Sequence, residues 1–154
     1  MYVGIDIGAK GCMAILDDNN NLTTQSFNKG GLEVYRDLLF NIKPKKILIE
    51  RVHSLPRQGV KSMFSFGQRY GEVLGLLTAM RLDFETLLPQ QWQKIFFHCY
   101  LLNVSIEEPS KNTKLLIGEA VNEIFHNKFR TKKRNSPNLD ITDAIALALV
   151  AKTL

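Results

Sequence analysis

The unbroken apolar run Ala144-Ile145-Ala146-Leu147-Ala148-Leu149-Val150 sits inside the chain's last helix-forming stretch, from about Leu139 to Thr153. A helix that is apolar all round has to be buried all round, so the rest of the chain must supply a layer for it to lie on. That layer is written near the N-terminus. Tyr2 to Ile7, Cys12 to Leu16 and Leu22 to Phe27 read as strands joined by Gly8-Ala9-Lys10-Gly11 and by Asp17-Asp18-Asn19-Asn20-Asn21, two strong turn signals. Leu32, Tyr35, Leu38, Leu39 and Ile42 recur at helical spacing, Pro44 ends that helix, and Ile47-Leu48-Ile49 forms a short buried strand closing at Glu50. Strand, helix, strand implies a crossover and a parallel pairing beside the first strand. Helical spacing resumes from Val60 to Met80; Asp83 to Leu88 reads as a strand, and Pro89 opens a short helix through Trp92. Ser110 to Phe125 is amphipathic, with Ser110 as its N-cap. There is no repeat and no linker in 154 residues, so one domain spanning 1–154 is expected.

Carboxylates interrupt this apolar pattern at three places. Asp6 stands between Ile5 and Ile7, Glu50 ends the Ile47-Leu48-Ile49 strand, and Asp140 and Asp143 share a face at the start of the last helix. Each has an ordinary explanation. Asp140 can serve as an N-cap and Asp143 as a first-turn acid at the positive end of the helix dipole. Glu50 can be a solvated strand end. Asp6 is the hardest to dismiss, because Asp disfavours strand interiors. Taken together, a parallel pairing would set Glu50 beside the first strand, and the last helix packed on that sheet would bring Asp140 and Asp143 to the same point. Buried carboxylates are costly unless paired or bound to metal. Their oxygens are hard ligands suited to Mg²⁺ or Mn²⁺, and two such ions about 3.5–4 Å apart can clamp a phosphodiester.

The ordered set Gly4-Ile5-Asp6-Ile7-Gly8, Leu48-Ile49-Glu50-Arg51 and Asp140-Ile141-Thr142-Asp143-Ala144 resembles the RuvC-type Holliday junction resolvases. Arg57-Gln58-Gly59-Val60, then Ser62, Phe64 and Phe66-Gly67, resemble the phage and bacterial RuvC-like branch, as does Pro89-Gln90-Gln91-Trp92. The resemblance runs through nearly the whole chain. It implies an α/β protein of the RNase H-like fold, a mixed five-stranded sheet flanked by helices. It also implies a metal-dependent endodeoxyribonuclease that uses Asp6, Glu50, Asp140 and Asp143 as metal ligands. Lys94 and Lys111 match the family's basic residues near the metal, with Lys114 an alternative for the second and Lys111 taking the catalytic place. His53 holds the position of an aromatic residue that stacks at the junction.

The formal net charge is +5, and Lys128, Arg130, Lys132, Lys133 and Arg134 alone carry that excess, in a stretch from His126 to Asn135 that has no acid. Such a run is usually a solvated loop, but its place just before Asp140 favours phosphate contact, and Arg51, Arg57 and Lys61 add charge near Glu50. Gly67, Gly71 and Gly75 lie on one helix face with a backbone penalty of about 1 kcal/mol each, which argues for close approach of the sheet, another helix or a second subunit. Phe64, Phe66 and Tyr70 on the same helix read as core. A four-way junction is itself two-fold symmetric, so a homodimer is expected.

Three rivals stand beside this reading. Asp6 to Gly11 also resembles the first phosphate loop of the actin and sugar-kinase ATPases, which need two such domains. A non-catalytic nucleic-acid-binding module would gain nothing from four carboxylates, which repel phosphate. Another RNase H-like nuclease, cutting RNA–DNA hybrids or flaps, would keep the same site. Cys12 and Cys99 form no C-x-x-C pair, which gives no sign of a zinc site. The first residues read as a strand rather than a leader, and no apolar run is long enough for a bilayer, so a cytoplasmic protein without membrane contact is expected.

Overall fold

The computed structural model describes residues 1–8, 10–51, 59–101, 113–131 and 135–154. The elements run β1 (Tyr2–Asp6), β2 (Cys12–Leu16), β3 (Leu22–Ser26), α1 (Gly31–Ile42), β4 (Lys46–Glu50), α2 (Val60–Ala79), β5 (Glu85–Leu87), α3 (Pro89–Tyr100), α4 (Thr113–Ile124) and α5 (Leu139–Thr153). The sheet has five strands in the order β3-β2-β1-β4-β5. The first three form the expected antiparallel meander, and β4 pairs parallel to β1, with Ile5 opposite Ile49. β5 adds a second parallel neighbour to β4, with Glu50 opposite Leu87. The Asp17 carboxylate shapes the β2–β3 turn by accepting hydrogen bonds from the backbone N–H groups of Asn19 and Asn21, both at 2.8 Å.

Each sheet face carries its own core. Val3, Ile5, Ile7, Met13, Ile47 and Ile49 point to the face covered by Tyr35 and Leu39 of α1 and Val73 and Leu77 of α2. Leu48, Cys12 and Ala14 point to the opposite face, where α5 lies with α3 and α4. Residues Thr142 to Ala151 of α5 are all buried, as an apolar helix requires; each Ile, Leu or Val so enclosed contributes about 1.5–3 kcal/mol. What lets α5 settle on the sheet is Gly4. A Cβ there would stand 2.2 Å from the Ala144 carbonyl oxygen and 2.3 Å from the Ala148 nitrogen, so the helix backbone rests directly on the strand.

Five local expectations change or narrow. Helix α3 continues to Tyr100 instead of stopping near Trp92, because Phe96, Phe97 and Tyr100 extend its apolar face against the core that holds α5. Strand β5 is only Glu85–Leu87, the three residues that pair with Leu48 to Glu50 of β4. The N-cap of α5 is Asn138, so Asp140 is not a cap but a first-turn residue. Among the described residues, a Cβ at Gly67, Gly71 or Gly75 would meet nothing within 4 Å, so neither the sheet nor another described helix occupies the glycine face. Phe66 and Tyr70 join the core as expected, whereas Phe64 is 74% exposed. Ser110 lies outside the described residues. Among the described residues, no helix is long and apolar enough to cross a membrane.

Candidate active site

Strand alternation decides where the carboxylates go. On β1, Val3 and Ile5 face α1 and α2, so Gly4 and Asp6 face α5. On β4, Ile47 and Ile49 face the same way as Ile5, so Leu48 and Glu50 face α5. Asp6 and Glu50 therefore end two adjacent parallel strands on one side of the sheet. Asp143 immediately precedes Ala144, the residue whose carbonyl rests on Gly4, and is thereby delivered next to Asp6. Asp143 is 1% exposed and Asp6 9%. Asp140, one turn earlier, is half-exposed at the rim.

The electrostatics follow from this crowding. Burial pushes the Asp6 carboxyl up from 3.8 to about 7, and the nearby charges of Asp143 and Glu50 push the same way. The Gly8 backbone N–H donates to Asp6 Oδ1 at 3.0 Å and works against them. Burial also raises Asp143, more than the ammonium of Lys114 lowers it. Lys114 Nζ donates to Asp143 Oδ2 at 2.8 Å. Burial alone would lower that ammonium, yet Asp143, Glu50 and Asp6 together hold it above the usual lysine range. Lys10 Nζ stands 3.3 Å from Asp140 Oδ2. The Trp92 indole N–H donates to Glu50 Oε2 at 3.1 Å. As these side chains stand, no three His, Cys, Asp or Glu groups among the described residues are disposed as a metal-holding set; the Lys114 ammonium is placed among the carboxylates instead.

The basic residues divide. Arg51, Lys61, Lys94 and Lys128 are exposed. Lys61 helps line an open groove of about 740 Å³ beside Gly8, together with Ser62, Ser65, Phe66 and Arg69. Lys114 is exposed along its side chain, and its ammonium reaches in from the surface to Asp143. Arg130 is half-buried and engaged by protein groups: it forms an ion pair with Glu119, and its guanidinium also donates to Asn127 Oδ1 at 2.9 Å and to the Asn135 carbonyl at 2.8 Å. His53, Arg57, Lys111, Lys132, Lys133 and Arg134 lie outside the described residues. Sequence reasoning missed Lys10, Arg69 and the role of Trp92. Lys10 was legible only as part of the turn after Asp6. Arg69 caps the Phe27 ring at 4.6 Å and reaches the Gly8 carbonyl at 3.4 Å, a contact that no sequence spacing announces.

A mixed five-stranded sheet of this order, helices on both faces and acids at the ends of β1 and β4, constitutes the RNase H-like fold. Within it the chain is similar to RuvC of Thermus thermophilus solved in complex with a Holliday junction substrate, at 14% identity and a TM-score of 0.61, covering 96% of this chain and 90% of that one. It is also similar to the yeast mitochondrial Holliday junction resolvase Ydc2, at 16% identity and a TM-score of 0.54, covering 96% of this chain and 75% of that one. No protein-family model matches the sequence, and no curated protein matches it.

Proposed function

We propose that this chain is a metal-dependent endodeoxyribonuclease that resolves Holliday junctions or closely related branched DNA. The observation that carries the reading is the convergence of buried Asp6 and Asp143 with Glu50 at the ends of two parallel strands, in this fold. The donor set suits a divalent metal: among the described residues Asp143 Oδ1 is buried without a hydrogen-bond partner, and like charge crowds Asp6. Asp6, Glu50, Asp143 and the rim residue Asp140 would hold Mg²⁺ or Mn²⁺, two ions in the fullest form of the proposal. Bound metal supplies a nucleophilic water at neutral pH and charge neutralisation at the leaving oxygen.

The chain's own groups do the rest. With a metal held by the carboxylates, the Lys114 ammonium, which donates to Asp143 Oδ2 at 2.8 Å in this structure, would be free to meet phosphate at the same point, the place the resemblance gave to Lys111 or Lys114. Arg51, Lys61, Lys94 and Lys128 offer exposed charge for the DNA backbone, and His53, Arg57, Lys132, Lys133 and Arg134 complete the set by sequence position. Such contacts give affinity and register rather than sequence choice. Junction DNA is favoured as the substrate because the Thermus thermophilus protein of the same fold is a junction complex. The test is cleavage of a four-way junction, a flap, a linear duplex and an RNA–DNA hybrid, each with Mg²⁺ or Mn²⁺. Preferential, paired nicking of the junction is expected. Equal cutting of linear duplex, or hybrid-only cutting, would replace this reading with another nuclease of the same fold.

The partner surface is proposed on α2. Val60 is 86% exposed and Phe64 74%, and both share a helical face with the open Gly67, Gly71 and Gly75. A second copy of the chain laid on this stripe would bury the apolar groups and use the glycines for close backbone approach. The sign of a glycine substitution tests it. On a free helix face, Gly67→Ala with Gly71→Ala should stabilise the protein by about 1 kcal/mol per site. On a dimer face the same change should weaken association, read as a shift toward monomer in sedimentation at micromolar concentration. A wild type that sediments as a monomer with junction DNA present sinks the dimer.

A further inference from the structure

We infer that Trp92 is a positioning residue for Glu50, holding the plane of its carboxylate for the divalent metal; this rests on the metal-site reading above. The local architecture is built for such a contact. Leu87 at the end of β5 is paired with Glu50, and its carbonyl accepts from the Arg51 N–H at 2.7 Å. The chain then turns directly into α3. Gln91 Oε1 accepts from the Leu88 N–H at 2.9 Å and closes that turn, and Pro89 opens the helix with a pre-set φ. Within a few residues of Glu50's own strand neighbour, α3 thus returns an indole to the Glu50 carboxylate. Trp92 is completely buried, and the helix that carries it is fastened at its far end, where Tyr100 Oη donates to the Leu149 carbonyl of α5 at 3.2 Å. The ring has no room to turn away, so its N–H is a fixed donor at 3.1 Å from Glu50 Oε2.

Glutamate has more rotamer freedom than aspartate, and a ligand left to wander must be ordered each time metal binds. A fixed donor on one carboxylate oxygen removes that cost before the metal arrives. Partners of this kind outside the ligand set are worth about 10–100-fold in metal affinity or activity. Packing alone does not explain the residue: a buried indole needs an acceptor, and here the acceptor is a proposed ligand rather than a backbone carbonyl.

Trp92 is the chain's only tryptophan, so the protein carries its own probe. In ¹⁵N-labelled protein the single indole N–H cross-peak should move during a Mg²⁺ titration, with the midpoint that calorimetry gives for binding. Trp92→Phe keeps a buried ring and removes the donor. Its Mn²⁺ affinity by calorimetry should fall about 10–100-fold, while junction cleavage at saturating Mn²⁺ should recover most of the wild-type rate. A purely structural role predicts a lower melting temperature with unchanged metal affinity. If Trp92→Phe does not fold, the wild-type indole peak decides alone. A wild type that binds no metal overturns the metal reading and this inference with it. A wild type that binds metal while its indole peak stays still, or a folded Trp92→Phe that binds equally well, overturns only the role of Trp92.

Discussion

Asp6→Asn should cut junction cleavage by orders of magnitude while leaving a folded protein that still binds the junction. The amide keeps an acceptor for the Gly8 N–H, which now donates to Asp6 Oδ1, so the turn after β1 survives. What is lost is the negative charge at the centre of the site. Groups outside a ligand set already cost about 10–100-fold when removed, and loss of Asp6, a proposed ligand, should cost more, on the order of 1000-fold in rate. Binding should hold or tighten, because one charge that repels phosphate is gone. The same substitution should also stabilise the metal-free protein at neutral and higher pH. A carboxyl whose folded value is raised, here from 3.8 to about 7, keeps its proton more tightly when folded than when unfolded. The wild type is therefore unpenalised below about pH 4, loses stability as pH rises from there toward 7, and carries the full penalty above 7. A rise of that size corresponds to ~4 kcal/mol. Thermal melts in chelator at pH 4 and pH 8 should show Asp6→Asn gaining on the wild type only at the higher pH, and Mg²⁺ should restore the wild type preferentially. Wild-type cleavage by Asp6→Asn would refute the site.

Gly4→Val is expected to be nearly as damaging, although valine is the better strand residue. By local propensity the change should help. Its Cβ would instead fall 2.2 Å from the Ala144 carbonyl and 2.7 Å from Leu147 Cβ, against helix backbone that cannot step aside without lifting α5. Overpacking of this kind costs about 3 kcal/mol or more, a fall of roughly 10 °C in melting temperature for a chain of this size. The folded fraction should also lose metal affinity, because Asp143 rides on the same turn of α5 as Ala144. Circular-dichroism melts and Mn²⁺ calorimetry at low temperature measure both effects. If Gly4→Val melts and binds metal like the wild type, α5 does not sit on β1 as described.

Much of this arrangement could be read from the chain because its signals are local. The meander, the crossover from α1 into β4 and the all-apolar α5 follow from periodicity and turn residues, each set within one or two turns of backbone. Asp6 and Glu50 were visible as acids where acids are unfavourable, and their common side of the sheet follows from the two-residue period of a strand. Whether Asp140 and Asp143 reach them is a different question, and it is answered by contact between distant segments. Gly4 is one of the chain's ten glycines in sequence; only with α5 laid across it does it become the reason Asp143 meets Asp6. Lys114 and Arg130 look alike as free basic residues, yet one is drawn into the carboxylates and the other is spent on Glu119. Charge type is a property of the residue, whereas the partner that claims the charge depends on which surfaces fold together. Trp92 belongs to the same category. Its apolar ring marks it for burial from sequence alone, but the single N–H it must satisfy finds Glu50 only because β5 and α3 bring it back to the end of β4.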